Sequence, residues 1–224
     1  MKILALETST EMCSAALWLD GSVDTREAQA GARNSELLLP MVEALLAANG
    51  MTVRELTGVA FGAGPGAFTG VRIACGVAQG IAFGIGARTV AVGTLMALAE
   101  SANVDRVVCC LDARMGEVYH AAYERVADDW REVCAPGLYK PEAVPALQGE
   151  GWTGCGSGFA VFRTQLLARY AGQMAKVIDG LAPHAREVAA IAARRFAREE
   201  AVDPADALPD RKSTRLNSSH VALS

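Results

Sequence analysis

Met1-Lys-Ile-Leu-Ala-Leu-Glu7, an apolar run closed by a carboxylate, returns later in the chain as Arg106-Val-Val-Cys-Cys-Leu-Asp112. The two stretches align at an offset of 105, Leu6-Glu7 matching Leu111-Asp112. Each is followed by a short turn and a second run carrying an alanine pair, Ala15-Ala16 in one copy and Ala121-Ala122 in the other. Continuous apolar runs of this length, bounded by turn residues, read as strands buried on both faces.

Working outward, Lys2–Glu7, Met12–Leu19 and Ser22–Ala28 form three strands, with Asp20-Gly21 as a hairpin turn. A helix over Ser35–Ala48 follows, then a Thr52-x-x-Glu55 capping box, a strand at Gly58–Gly62 and a helix over Thr69–Phe83. A strand at Thr89–Val92 and a helix at Thr94–Ser101 close the first copy. The second copy has strands at Arg106–Asp112, Glu117–Tyr123 and Arg131–Cys134 and a helix over Pro141–Leu147 that starts on proline. A strand at Gly151–Cys155, a helix at Phe159–Tyr170, a strand at Ala175–Ile178 and a helix at Ala185–Glu199 complete it. The order βββαβαβα therefore occurs twice. Strand–helix alternation demands a mostly parallel sheet covered by helices, with the meander along one edge. The expectation is a duplicated α/β protein with lobes at residues 1–103 and 104–208. The end of the chain, residues 209–224, is polar, and from Arg211 to Ser224 it has neither period nor apolar face. It reads as sequence foreign to the fold.

Composition bounds the function. With 224 residues, 51% hydrophobic and 21% charged, the chain is long and apolar enough for a large core without metal or disulfide staples. A net charge of −4 and a pI near 5.5 leave no electrostatic footprint for binding nucleic acid unaided. Lysine occurs only at Lys2, Lys140, Lys176 and Lys212. Cys13, Cys75, Cys109, Cys110, Cys134 and Cys155 contain no C-x-x-C pair and mostly lie in apolar runs, as small core residues do in a reducing compartment. The apolar start stops at Glu7, too early for a secretory signal, and Val71–Ala87 is short for a membrane span. A soluble, cytoplasmic protein is expected.

Gly62-Ala-Gly-Pro-Gly-Ala-Phe-Thr-Gly-Val-Arg-Ile73 lies between a strand and a helix, where backbone N–H groups could cradle an anion. It fits G-x-G-x-x-A, but no acid ends the next strand and no lysine follows the glycines. A turn that sets the helix angle is the preferred reading. Within the helix, Gly76, Gly80 and Gly84 form one ridge, and Ala74, Ala78 and Ala82 a second. Glycine inside a helix costs about 1 kcal/mol relative to alanine, so three of them call for a close contact. The preceding helix carries Leu37, Leu38, Met41, Val42, Leu45 and Leu46 as one stripe, widened by Leu39, Ala44, Ala47 and Ala48. A sandwiched core helix and an interface with another subunit both account for this pattern.

ILALETST (Ile3–Thr10), NSELLLPMVEALL (Asn34–Leu46), GAGPGAFTGVRIACGVAQGIAFG (Gly62–Gly84) and LDARMGEVYHAAY (Leu111–Tyr123) together resemble the TsaB family from Met1 to about Leu208. The resemblance implies a duplicated actin-like, ribonuclease H-like fold. It also implies a non-catalytic partner of TsaD, which installs threonylcarbamoyl on the adenosine beside the anticodon of tRNAs reading A-starting codons. On that resemblance the first two helices contact TsaD, and Leu37, Leu38, Met41, Leu45, Ala74, Gly76, Ala78 and Gly80 are the candidate interface. TsaE would join the assembled complex, tRNA would be met only through it, and a homodimer could form alone. No cofactor is expected on this subunit, with ATP and magnesium confined to the complex. Asn34 stands where family members often have histidine, and the family's closing segment past Pro209 is replaced.

Catalytic constellations are sparse. His120, His184 and His220 are far apart in sequence, without the H-x-x-x-H spacing that puts two imidazoles on one helix face. Glu7 and Asp112 end equivalent strands, and with Thr8, Ser9, Thr10 and Gly156 they are the candidates for a nucleotide cleft. The alternative is that both carboxylates cap turns by accepting backbone N–H bonds. A stand-alone actin-like ATPase, or a metal-dependent glycoprotease-type hydrolase, is the competing function.

Overall fold

An all-apolar strand can be satisfied only in the middle of a sheet. The computed structural model, which describes residues 1–209, places β1 (Lys2–Glu7) there. It pairs antiparallel with β2 (Met12–Leu19) and parallel with β4 (Gly58–Gly62). With β3 (Ser22–Gln29) and β5 (Arg88–Val92) the sheet order is β3-β2-β1-β4-β5. Period-two alternation then assigns the faces. Leu4 and Leu6, with Ala15, Leu17, Val59 and Phe61, share a core with α1 (Asn34–Ala48) and α2 (Phe68–Ile85). Ser14, out of step with those residues, accepts a 2.9 Å hydrogen bond from the Ala185 N–H at the start of α6 (Ala185–Ala197).

The second sheet repeats this plan. β6 (Arg106–Arg114) is central, antiparallel to β7 (Glu117–Val126) and parallel to β9 (Trp152–Cys155). β8 (Asp129–Tyr139) and β10 (Met174–Ile178) form the edges, in the order β10-β9-β6-β7-β8. Its core gathers Val108, Cys110, Val118, Trp152, Phe159 and Tyr170. Meander, central strand and two parallel additions recur in the same order, so the duplicated actin-like α/β fold is present.

The described chain falls into two units, Met1–Ala97 with the residues from Pro183 onward, and Leu98–Ala182. This differs from lobes at 1–103 and 104–208 in two places. The chain leaves the first unit inside α3 (Thr94–Ala102), between Ala97 and Leu98, rather than near Asn103. More substantially, α6 belongs to the first unit. Its buried face of Ala185, Val188, Ala189, Ile191, Ala192 and Ala193 packs on β1, β2 and β4. Order along the chain does not dictate which sheet a helix covers. The anticipated foreign tail, Arg211–Ser224, and His220 within it lie outside the described residues.

Two expected helices are altered by local chemistry. Pro141–Leu147 gives only a 3-10 turn at Pro141–Ala143. Pro145 has no N–H to continue the ladder, and a residue before proline is pushed out of the α region, as Val144 is at ψ 148°. The expected Phe159–Tyr170 helix is broken at Phe162 (φ −118°) into α4 (Ser157–Val161) and α5 (Arg163–Arg169). Each half answers to a different neighbour. α4 is held against β6, whereas Arg169 Nε on α5 donates to the Val144 carbonyl at 2.9 Å.

α2 spans 18 residues and is by length and composition alone apolar enough to cross a membrane. Its Ala74, Ala78 and Ala82, however, are fully buried in the core of their own sheet. Ala78→Arg therefore forces a guanidinium into that core, at a cost above about 4 kcal/mol. The expected outcome is loss of the cooperative melt in circular dichroism; an Ala78→Arg chain melting like the parent would contradict this placement.

Candidate functional site

Glu7 and the hydroxyl residues after it meet the glycine loop at the end of β1. The Ser9 N–H donates to Glu7 Oε1 at 2.6 Å, and Thr8 Oγ1 donates to the Gly70 carbonyl at 2.7 Å. Three glycines permit the contact. A Cβ at Gly62 would strike the Glu7 carboxylate, one at Gly66 the backbone of Ser9, and one at Gly70 the Thr8 carbonyl. Three of the loop N–H groups are taken by protein acceptors. Ala63 donates to Val92 O at 2.7 Å, Gly64 to Thr94 Oγ1 at 3.1 Å, and Ala67 to Ser9 O at 2.7 Å. The loop docks α2 onto the end of β1.

The second unit carries the counterpart. Asp112 accepts from the Arg114 N–H at 2.9 Å, pairs with Arg114 Nη1 at 3.3 Å, and donates its own N–H to Ser157 Oγ at 3.0 Å. Gly156 (φ +96°) and Gly158 leave no room for a Cβ beside Cys110. Both carboxylates therefore cap turns two residues ahead. Glu7, Thr8, Ser9 and Gly156, four members of the candidate nucleotide cleft, are buried, with the Ser9 hydroxyl unpartnered, while Thr10 is half-buried and accepts from the Met12 N–H at 3.2 Å. Burial pushes the Glu7 carboxyl above its ordinary value of 4.5, against the smaller opposing effect of its Ser9 and Thr8 hydrogen bonds; Oε2 has no hydrogen-bond partner.

The histidines are occupied separately. His120 Nε2 lies 2.7 Å from the Tyr170 hydroxyl, and burial lowers its pKa to about 4. His184 caps α6, Nδ1 accepting from the Arg186 N–H at 3.0 Å, and its Nε2 is 2.7 Å from Glu27. Among the described residues no three His, Cys, Asp or Glu side chains come together as a metal site.

The outer surface of α1 and α2 is the other candidate. Leu38, Leu45, Ala74 and Ala78, expected at a subunit interface, are fully buried in the core of their own unit and cannot reach a partner. Leu37 and Met41 are half-buried, packed on that core from its margin. Gly76 and Gly80 are exposed, and with Gly84 they have nothing within 4 Å of where a Cβ would stand. Helical geometry explains the split. Ala78 and Gly80, two residues apart, lie about 200° apart around the axis, so one ridge faces the sheet when the other faces out. Exposed apolar residues that the sequence reading did not place at the interface are Phe83 beside the glycines, at 59% exposure, and on α1 Leu39 at 48%, with Ala44, Ala47 and Ala48. Their signal was available. From Ile73 to Ala87 there is no charge, and from Leu37 to Ala48 only Glu43.

Residues 28–209 match the family model of TsaD, tRNA N6-adenosine threonylcarbamoyltransferase. The tRNA threonylcarbamoyladenosine biosynthesis protein TsaB of Escherichia coli is 37% identical over 211 residues, 90% of each chain. The chain belongs to the TsaB family. The Haemophilus influenzae TsaB is also 37% identical, over 175 residues covering 72% of this chain and 74% of its own. Two solved structures from Pseudomonas aeruginosa share the fold at 36% identity. One, described as similar to peptidase YEAZ, has a TM-score of 0.86 and covers 93% of this chain and 97% of its own. The other, YeaZ, has a TM-score of 0.83 with 93% and 98% covered.

In this TsaB-family chain the two sets of glycines respond oppositely to a methyl group. Gly70→Ala drives Cβ into the Thr8 carbonyl and lowers stability by about 2 kcal/mol. Gly76→Ala adds a methyl in open space and raises stability by up to about 1 kcal/mol. Urea midpoints at unchanged m-value read both.

Glu7 also makes stability pH-dependent. Its folded pKa is raised, so the folded state holds the proton more tightly and ionisation opposes folding. The penalty is absent below the unfolded value near 4.5, grows as pH rises through the folded value, and then stays constant. Glu7→Gln cannot ionise and keeps the acceptor for Ser9. Its stability relative to the parent is expected to climb over that window and plateau above it. A flat difference across the same pH series would contradict the raised pKa.

Proposed function

We propose that this chain is a non-catalytic subunit of the tRNA threonylcarbamoyladenosine machinery, docking TsaD through the outer face of α1 and α2. The observation that carries this is the exposed ridge of Gly76, Gly80 and Gly84 on α2, with Phe83 at 59% exposure beside it. Three helix-interior glycines without a Cβ contact each cost about 1 kcal/mol, and nothing in their own unit recovers it. A partner helix approaching at backbone distance would. Exposed apolar surface on a helix of this kind marks protein–protein contacts, and an interface of standard size buries about 1,600 Å² in total. Leu37, Met41, Gly76 and Gly80 remain interface residues in this proposal; Leu38, Leu45, Ala74 and Ala78 act beneath them as support.

Catalytic silence is part of the proposal. The Glu7 carboxylate is enclosed, the Ala63, Gly64 and Ala67 N–H groups of the glycine loop are spent, and Asp112 is held by Arg114. Threonylcarbamoyl transfer to the adenosine beside the anticodon of tRNAs reading A-starting codons then belongs to TsaD, with TsaE in the full assembly. ATP and magnesium act at the level of that complex, and tRNA is met only through it, as the acidic pI favours. The assembly is placed in the cytoplasm, and the same face could pair two copies when TsaD is absent.

Gly80→Arg tests docking without threatening the fold, since position 80 is open and arginine favours helix over glycine. The expected variant melts at or above the parent temperature and fails to co-elute with TsaD in size-exclusion chromatography. A folded Gly80→Arg chain that binds TsaD at parental affinity would remove this face from the interface.

A further inference from the structure

Residues 200–209 cross the first unit without helix or strand, yet α2 and β5 hold them at several points. Thr89 and Val202 exchange two backbone hydrogen bonds of 2.9 Å, and Arg88 Nη1 donates to the Ala201 carbonyl at 3.3 Å. Gln79 Nε2, on α2, donates to the carbonyls of both Pro204 (2.9 Å) and Ala207 (3.1 Å), and Cys75 Sγ lies 3.5 Å from the second. Pro204 and Ala207 are buried. An open groove of about 280 Å³, lined by Thr89, Ala91, Arg195, Glu200, Asp206 and Leu208, runs between the strap and β5. The strap is therefore fastened by a few hydrogen bonds and two small side chains, which places it among the parts of a fold that open most easily.

Its anchor lies on the docking helix. At 100° per residue, Cys75 and Gln79 form one flank of α2, Ile73 and Val77 the opposite flank, partly buried against the core, and Gly76 and Gly80 the surface between. We infer that Gln79 is a positioning residue for the docking face: by latching the strap it fixes α2 against sliding, so that strap docking and partner binding reinforce each other. Linkage makes the effect reciprocal, the partner tightening the strap by the factor through which the strap tightens the partner.

This rests on the docking function proposed above, and the test separates the two. Gln79→Ala, and Gln79→Glu as a variant of native size without the donor, are titrated against TsaD beside Gly80→Arg. Backbone amide exchange at Thr89 and Val202 is followed with and without TsaD. Both Gln79 variants should melt as folded chains, exchange faster at Thr89 and Val202, and bind TsaD about tenfold more weakly. In the parent, TsaD should slow exchange at those two amides. Faster exchange with unchanged affinity overturns the coupling, and unchanged exchange overturns the latch. If Gly80→Arg binds normally, the docking proposal itself fails, whatever the Gln79 variants do.

Discussion

The backbone of α2 touches the backbone that leaves β1, and most of the first unit follows from that contact. Gly70 lies against the Thr8 carbonyl, Thr8 returns a hydrogen bond to the Gly70 carbonyl, and Ala67 donates to Ser9. An α2 seated this close to the sheet has space beneath it only for small side chains, hence alanine at 74, 78 and 82, all fully buried. The second unit applies the same constraint with other residues, Gly156 and Gly158 against Cys110. What the duplication preserves is an approach distance between a loop and the end of the central strand, and glycine is the only residue that allows it.

Once α2 is fixed, the direction of the glycine ridge is settled. Small residues on opposite sides of one helix answer to different demands. The inner alanines serve the sheet, and the outer glycines serve nothing within the described chain. A fold under selection for stability alone would replace them with alanine at a gain of up to about 1 kcal/mol per site. Their place beside the exposed Phe83, on a helix uncharged from Ile73 to its end, is the physical basis for proposing a partner there.

The fold was legible because its signal is one of period and order. The echo of Leu6-Glu7 in Leu111-Asp112 anticipates both central strands, and strand–helix alternation anticipates two like sheets, whose order the structure gives as 3-2-1-4-5 in each copy. Assignment of α6 to the second lobe failed because an alanine-rich amphipathic helix fits any sheet; its selection of the first rests on contacts such as Ser14 with Ala185, distant in sequence. The Pro141–Leu147 helix failed for a reason that was readable, Pro145 being at a position where the ladder needs an N–H. In the site, the sequence offers two ridges on α2 without saying which faces out, and half of the expected interface residues, Leu38, Leu45, Ala74 and Ala78, are core. The strap could not have been read, since its latch is a side-chain amide on one element meeting carbonyls more than a hundred residues away.

Glu7 and Asp112 show how the copies diverged while their turns stayed alike. Both accept an N–H from two residues ahead, yet Glu7 is sealed beneath Gly62 while Asp112 stays partly open and paired with arginine. A buried carboxylate with one oxygen unpartnered is a poor choice for stability, because burial disfavours its ionised form. It persists in a loop where the same geometry positions α2. In a fold of this type the end of the central strand is where an enzyme would place its acid. In this chain that acid holds the turn, and the turn holds the helix whose far side is proposed to meet TsaD.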